Sequence, residues 1–189
     1  MRYGGITVDV SGALDVADRL FATVKRAEQA QRRALGTLRR RLPVQARRDI
    51  QAEYAIKAST LRERLITSTT ADGLRLIGKS RGLSLINFGA RQTRAGVSSQ
   101  VLRGQRDVDA GAFIAPLLGN NRQAVERVPG EPKRRMTRGR YVGRMRQPLH
   151  LLYGPSVAQM LQKGRRLDRL AEFAQRVIAA EIQRLATTT

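Results

Sequence analysis

Residues 83–128 read LSLINFGARQTRAGVSSQVLRGQRDVDAGAFIAPLLGNNRQAVERV, and this stretch decides the fold. Short apolar and β-branched runs are cut by Gly, Asn and Asp at close intervals, which is the pattern of short strands joined by tight turns. Residues 74–78 and 83–88 are predicted to form a hairpin around 79–82, and 97–103 a third strand. Two more strands are expected over 112–118 and 123–128, turned at Gly119-Asn120-Asn121. Pro116 cannot donate to a ladder, so its segment should lie at an edge or end there.

Outside this stretch the period changes from two to 3.6. Residues 3–10 alternate like a strand, and Ser11 offers an N-cap with Asp15 in the first turn. From Gly12 to Leu42 the apolar residues Leu14, Ala17, Phe21, Val24, Ala27, Leu35, Leu38 and Leu42 return at helical spacing. That predicts a helix of about 28 residues, roughly 40 Å long. Pro43 should start a new helix or kink the old one. The period resumes with Val44, Arg47, Ile50 and Tyr54, and Ser59 can cap a short helix over TLRERL. At the other end, Gly154-Pro155-Ser156 should open a helix with Pro155 in its first turn. Leu167, Leu170, Phe173, Ala174, Val177, Ile178, Ile182 and Leu185 then mark a strong amphipathic helix.

The predicted fold is α+β. A long N-terminal helix and a C-terminal helix pack on a small, mostly antiparallel sheet, and an extended basic arm projects from it. One domain is expected over 1–189, with N-terminal helices at 12–65, sheet at 74–128, arm at 129–148 and C-terminal helices at 155–186.

Charge narrows the function. The chain has 36 Lys and Arg against 15 Asp and Glu, a formal +21. Such a field favours polyanions or acidic partners over neutral ones. Seven arginines fall between Arg32 and Arg48, and of these Arg39, Arg40, Arg41, Arg47 and Arg48 are candidate contacts to DNA or a partner. They form either a solvated, snorkelling face or a basic ridge. The 129–148 stretch carries three Pro, three Gly and seven basic residues against one acid, Glu131. It is expected to be a loop or extended arm that orders only in an assembly. Its Lys133, Arg134, Arg135, Arg138, Arg140, Arg144 and Arg146 complete the candidate contact set, and Met136, Tyr141, Val142 and Met145 are its apolar anchors. A single aromatic makes a poor stacking platform, so phosphate contact or docking on an acidic neighbour suits the arm better than reading single strands.

Nothing in the sequence points to catalysis. There is no cysteine, and His150 is the only histidine, so neither thiol chemistry nor a histidine-based metal site is expected. The motifs GxSxG and GxxxxGK[ST] are absent, and no cofactor is expected. No apolar run reaches the length of about 18 residues that spans a bilayer, and the start of the chain lacks a signal-peptide pattern. The helices have Arg faces but no Trp anchors, which argues against a membrane partner.

Four blocks carry a resemblance. Tyr54-Ala55-Ile56-Lys57-Ala58-Ser59, Leu85-Ile86-Asn87-Phe88-Gly89-Ala90-Arg91-Gln92-Thr93, Gly111-Ala112-Phe113-Ile114-Ala115 and Leu152-Tyr153-Gly154-Pro155-Ser156-Val157 resemble, in that order, pieces of the phage minor tail protein Z family. The resemblance spans roughly residues 44–161. It implies a structural tail-completion or neck protein at the head–tail junction of long-tailed phages, assembled in the host cytoplasm and retained in the virion. It also implies a homo-oligomeric ring, six subunits first and three second. Its neighbours would be a tail terminator, tube or tape-measure protein, with DNA in transit. No catalytic residue, cofactor or metal comes with it. The competing class is a free basic nucleic-acid-binding protein making non-specific phosphate contacts.

Overall fold

The computed structural model describes residues 24–70, 73–117 and 121–187. The expected strand at 3–10, the Ser11 cap, the helix start at 12–23 and the turn at Gly119-Asn120 lie outside the described residues. The fold is α+β, with long helices toward both ends and small antiparallel sheets between them. Where one domain is expected, the contacts group into two compact units.

The first unit draws on Met1–Ala52, Ala58–Arg81 and Ser156–Thr189. Helix α1, Val24–Glu53, buries Ala30, Ala34, Leu38, Leu42, Ala46 and Ile50 completely. These positions recur every fourth residue, and each step overshoots a full turn. The buried line therefore winds roughly 200° around the helix over its length, and the helix is packed on more than one side. Pro43 neither ends α1 nor starts a new helix; it sits inside it. Leu42 and Ala46, buried on either side of Pro43, hold the helix through the missing donor.

Helix α2, Ala58–Arg64, buries Leu61. It runs directly into β1, Leu65–Thr70, which pairs antiparallel with β2, Gly73–Gly78. This corrects the expected hairpin of 74–78 with 83–88. The partner of β2 is LITSTT, whose β-branched residues favour a strand but whose single alternation is too polar to stand out. Helix α3, Val157–Gln162, is opened by a capping box: Ser156 Oγ accepts from Gln159 N at 3.2 Å, and Ser156 N donates to Gln159 Oε1 at 2.8 Å. Pro155 thus precedes the cap and lies outside the first turn where it is expected. A Cβ at Gly78 would stand 3.0 Å from Leu161 Cδ1 and 3.1 Å from Ala158 N, so glycine lets α3 lie close on β2.

Helix α4, Arg166–Thr187, buries Leu170, Ala174, Val177, Ile178 and Ile182. Asp168 in its first turn and Arg184 in its last complement the helix dipole. Arg166 is buried, and its guanidinium donates to the Met160 carbonyl near the end of α3, tying the two helices. Thr37 Oγ1 donates to Glu181 Oε1 at 3.1 Å, which ties α1 to α4.

The second unit comprises Glu53–Lys57 and Gly82–Pro155. Its strands are β3 Leu83–Ser84, β4 Arg91–Gln92, β5 Gly96–Ser99, β6 Asp107–Ala110, β7 Phe113–Pro116 and β8 Arg122–Arg127, followed by β9 Arg134–Arg135, β10 Met145–Arg146, β11 Leu149–Leu151 and β12 Tyr153–Gly154. They form sheets ordered β12-β3, β4-β5-β6 and β11-β8-β7, with β9-β10 as a ribbon. Residues 85–88 form a 3-10 turn where a strand is expected, and the strand expected over 97–103 ends at Ser99. The β7–β8 pairing matches expectation, with Pro116 on the edge strand of its sheet.

Candidate functional site: an arginine hairpin beside an apolar groove

The arm is the main departure from the sequence reading. Residues 129–148 hold a hairpin, in which Arg135 pairs with Met145 and Arg134 with Arg146. Met136 N donates to Arg144 O at 3.0 Å, and Gly143 N to Met136 O at 2.9 Å, extending the ladder toward the tip. Gly139 and Gly143 take φ of 80° and 82°, left-handed values that glycine adopts without a Cβ clash, and so the tip can close. The expectation of an arm without strand structure is corrected by this geometry.

The reason lies at the hairpin's base. Strands β8 and β11 are paired, with Leu149 opposite Arg127. Residues 129–148 leave β8 and return as β11, so the hairpin is the far end of one antiparallel ribbon. Gln147 Nε2 donates to Val128 O at 2.6 Å and Val128 N to Pro148 O at 3.4 Å, which pins the neck. A segment too polar to fold alone is thus held by a sheet that is already paid for.

Tyr141 gathers cations. The guanidinium carbon of Arg146 lies 4.0 Å from its ring centroid, and those of Arg140 and Arg144 lie at 5.9 Å. Each contact is attractive, but three guanidiniums around one ring repel one another. In the hairpin only Arg134 has a carboxylate, Glu131 at 3.1 Å, among the described residues. Lys133, Arg135, Arg138, Arg140, Arg144 and Arg146 have none there. Val142 and Met145 are 60% and 58% exposed beside them.

Between the hairpin and the β7–β8–β11 sheet lies a groove of about 720 Å³. The sheet contributes Phe113, Ala115, Leu117 and Leu149 to it, and the hairpin contributes Met136, Tyr141 and arginines. Arg127 lies over the Phe113 ring at 5.5 Å. Phe113 faces Val125 in the ladder, so Arg127 is its diagonal neighbour. Phe113, Arg127 and Leu149 were not anticipated as site residues. Phe113 pairs with Val125, and alternation along β8 then puts Arg127 on the same face, a register that the spacing of the two runs did not announce.

The other predicted group belongs to the first unit. Arg39, Arg40, Arg41 and Arg48 are exposed on α1. Arg33, Arg40 and Arg47 recur every seven residues and so form a row along the helix. Arg40 Nη2 reaches Thr37 Oγ1 at 3.5 Å, and Arg41 lies over Phe173 at 5.9 Å. Arg47 is half-buried; desolvation, and then the charge of Arg62, lower its pKa from the ordinary arginine value. Glu181 feels one of these cations, Arg40, together with Arg184 of α4. Burial alone would raise its pKa, but hydrogen bonds from Arg184 and Thr37 and the charges of Arg184 and Arg40 hold it below the usual glutamate value. The structure therefore places the predicted arginines in two groups, one in each unit.

His150 is exposed, with Nδ1 3.2 Å from Glu126 Oε1. Among the described residues no three His, Cys, Asp or Glu side chains gather as a metal site would need, and no helix is long and apolar enough to cross a membrane. No family model, curated protein or solved structure matches the chain.

Proposed function

We propose that this chain is a structural virion protein, a tail-completion or neck subunit at the head–tail junction of a long-tailed phage, lining part of the DNA passage. The observation that carries the reading is the ordered set of four blocks that resemble the minor tail protein Z family, three of which meet one another. The blocks 85–93 and 111–115 fall wholly in the second unit, and the blocks 54–59 and 152–157 fall in it over 54–57 and 152–155 and in the first unit for the rest. Tyr54 bridges Leu102, Ile114 N donates to Gln92 Oε1 at 2.8 Å, and a Cβ on Gly154 would meet the Phe88 ring. The second block thus meets the third and the fourth, while Tyr54 of the first meets Leu102, which lies in none of them. The hairpin springs from that unit and offers unneutralised arginines and exposed apolar side chains, a combination suited to assembly.

A cyclic ring of subunits, six first and three second, is the form a tail axis favours. The chain acts as a scaffold and carries no reaction in this reading. Imaging particles that carry a tagged copy tests the proposal: the tag should mark the junction of head and tail. Tag density confined to cellular nucleic acid, with none on particles, would favour the free DNA-binding class instead.

A further inference from the structure

We infer that the groove beside the hairpin binds an acidic polypeptide segment bearing apolar side chains, and that the hairpin recognises protein in preference to nucleic acid. This deepens the assembly reading, on which it rests, by naming the chemistry of the partner. The groove volume, about 720 Å³, is that of a site for several side chains. Its lining is apolar at Phe113, Ala115, Leu117 and Leu149, and cationic at Arg134, which Glu131 neutralises, and at Arg127, Arg138, Arg140 and Arg146. None of those four has a carboxylate partner among the described residues. Carboxylates accept paired hydrogen bonds from guanidinium, and an alternating acidic and apolar strand would satisfy the cationic and the apolar lining together.

Nucleic acid meets only half of this. Phosphates would neutralise the arginines, but bases need open ring faces on which to stack. Arg146 lies 4.0 Å over Tyr141, and Arg127 covers Phe113 at 5.5 Å. Met136 and Leu149, which line the groove and are 36% and 42% exposed, would remain in water against a phosphate backbone. A polypeptide buries them.

The test uses the full chain and fluorescence anisotropy near 0.15 M salt, where long-range attraction between exposed charges is largely screened. The probe is a labelled peptide alternating Glu and Leu. An equally charged Glu–Ser peptide and a DNA oligonucleotide are the comparisons. The Glu–Leu peptide should bind at least about tenfold more tightly than the Glu–Ser peptide. Joint Arg138→Gln and Arg140→Gln should weaken it about tenfold, since both side chains are exposed and tied to no carboxylate. Leu149→Ser should bring Glu–Leu affinity close to that of Glu–Ser, and Met136→Ser supplies the same readout if Leu149→Ser unfolds. Equal affinity for the two peptides, variants with native circular dichroism and unchanged affinity, or DNA displacing the peptide from the groove would each overturn the inference. The assembly reading fails separately: normal joined particles without this protein would remove it and leave the peptide affinities standing.

Discussion

Gly154 shows how a single residue fixes the second unit. A Cβ there would lie 2.6 Å from Phe88 Cε2, and Phe88 is fully buried. Gly154→Ala should overpack this contact at a cost of about 1–3 kcal/mol, a fall in melting temperature of several degrees. An unchanged melting curve would mean the ring has room to move. Both residues are legible in the sequence, Phe88 as part of an apolar run and Gly154 beside a proline, but their contact is not, because they stand 66 positions apart. Glu181 gives a second test at this scale. Its folded pKa lies below its unfolded one, so the unfolded chain binds more protons in acid. Its contribution is complete above the ordinary glutamate pKa, about 4.3, and is lost as pH falls through the lower folded value. The melting temperature of the native chain should therefore fall more steeply below that pH than that of Glu181→Gln. Parallel curves would contradict the assignment.

At the scale of elements, helix periodicity was legible and its interruption was not. Leu38, Leu42 and Ile50 mark α1 by spacing alone, and all are buried. Pro43 argued for a break that packing overrides. Restoring the missing N–H with Pro43→Ala should recover about 3 kcal/mol of helix stability less about 1 kcal/mol of unfolded-chain entropy, a net gain of roughly 2 kcal/mol. A lower melting temperature would mean that α1 depends on the proline. The short strands were legible as a class but only partly as pairs. Gly119-Asn120-Asn121 signalled the β7–β8 hairpin, while β3 pairs with β12 across 69 residues and no local signal announces it. The hairpin at 134–146 was hidden for a related reason: its composition is that of a free loop, and its order comes from the β8–β11 base. Changing Arg138, Arg140, Arg144 and Arg146 together to Gln should leave circular dichroism and melting nearly unchanged while weakening assembly or DNA retention. Particles that form and hold DNA normally with these changes would remove the hairpin from the assembly surface.

For the whole molecule, the decisive quantity is charge. A formal +21 on 189 residues opposes compaction through self-repulsion, so a lasting anionic environment is favoured. The two clusters of arginines, on α1 and in the hairpin, were legible from their spacing, whereas their placement in separate units depends on long-range contacts. Within the hairpin, apolar side chains share the exposed surface with cations, which suits a partner more than bulk solvent. The central claim is that this chain joins tails to heads. The direct measurement is electron microscopy of particles made by the encoding phage or prophage with this gene deleted, with a plasmid copy as the control. Filled heads and finished tails that stay separate, and are joined again by the plasmid copy, are the predicted result. Joined, infectious particles in the deletion strain would contradict the account.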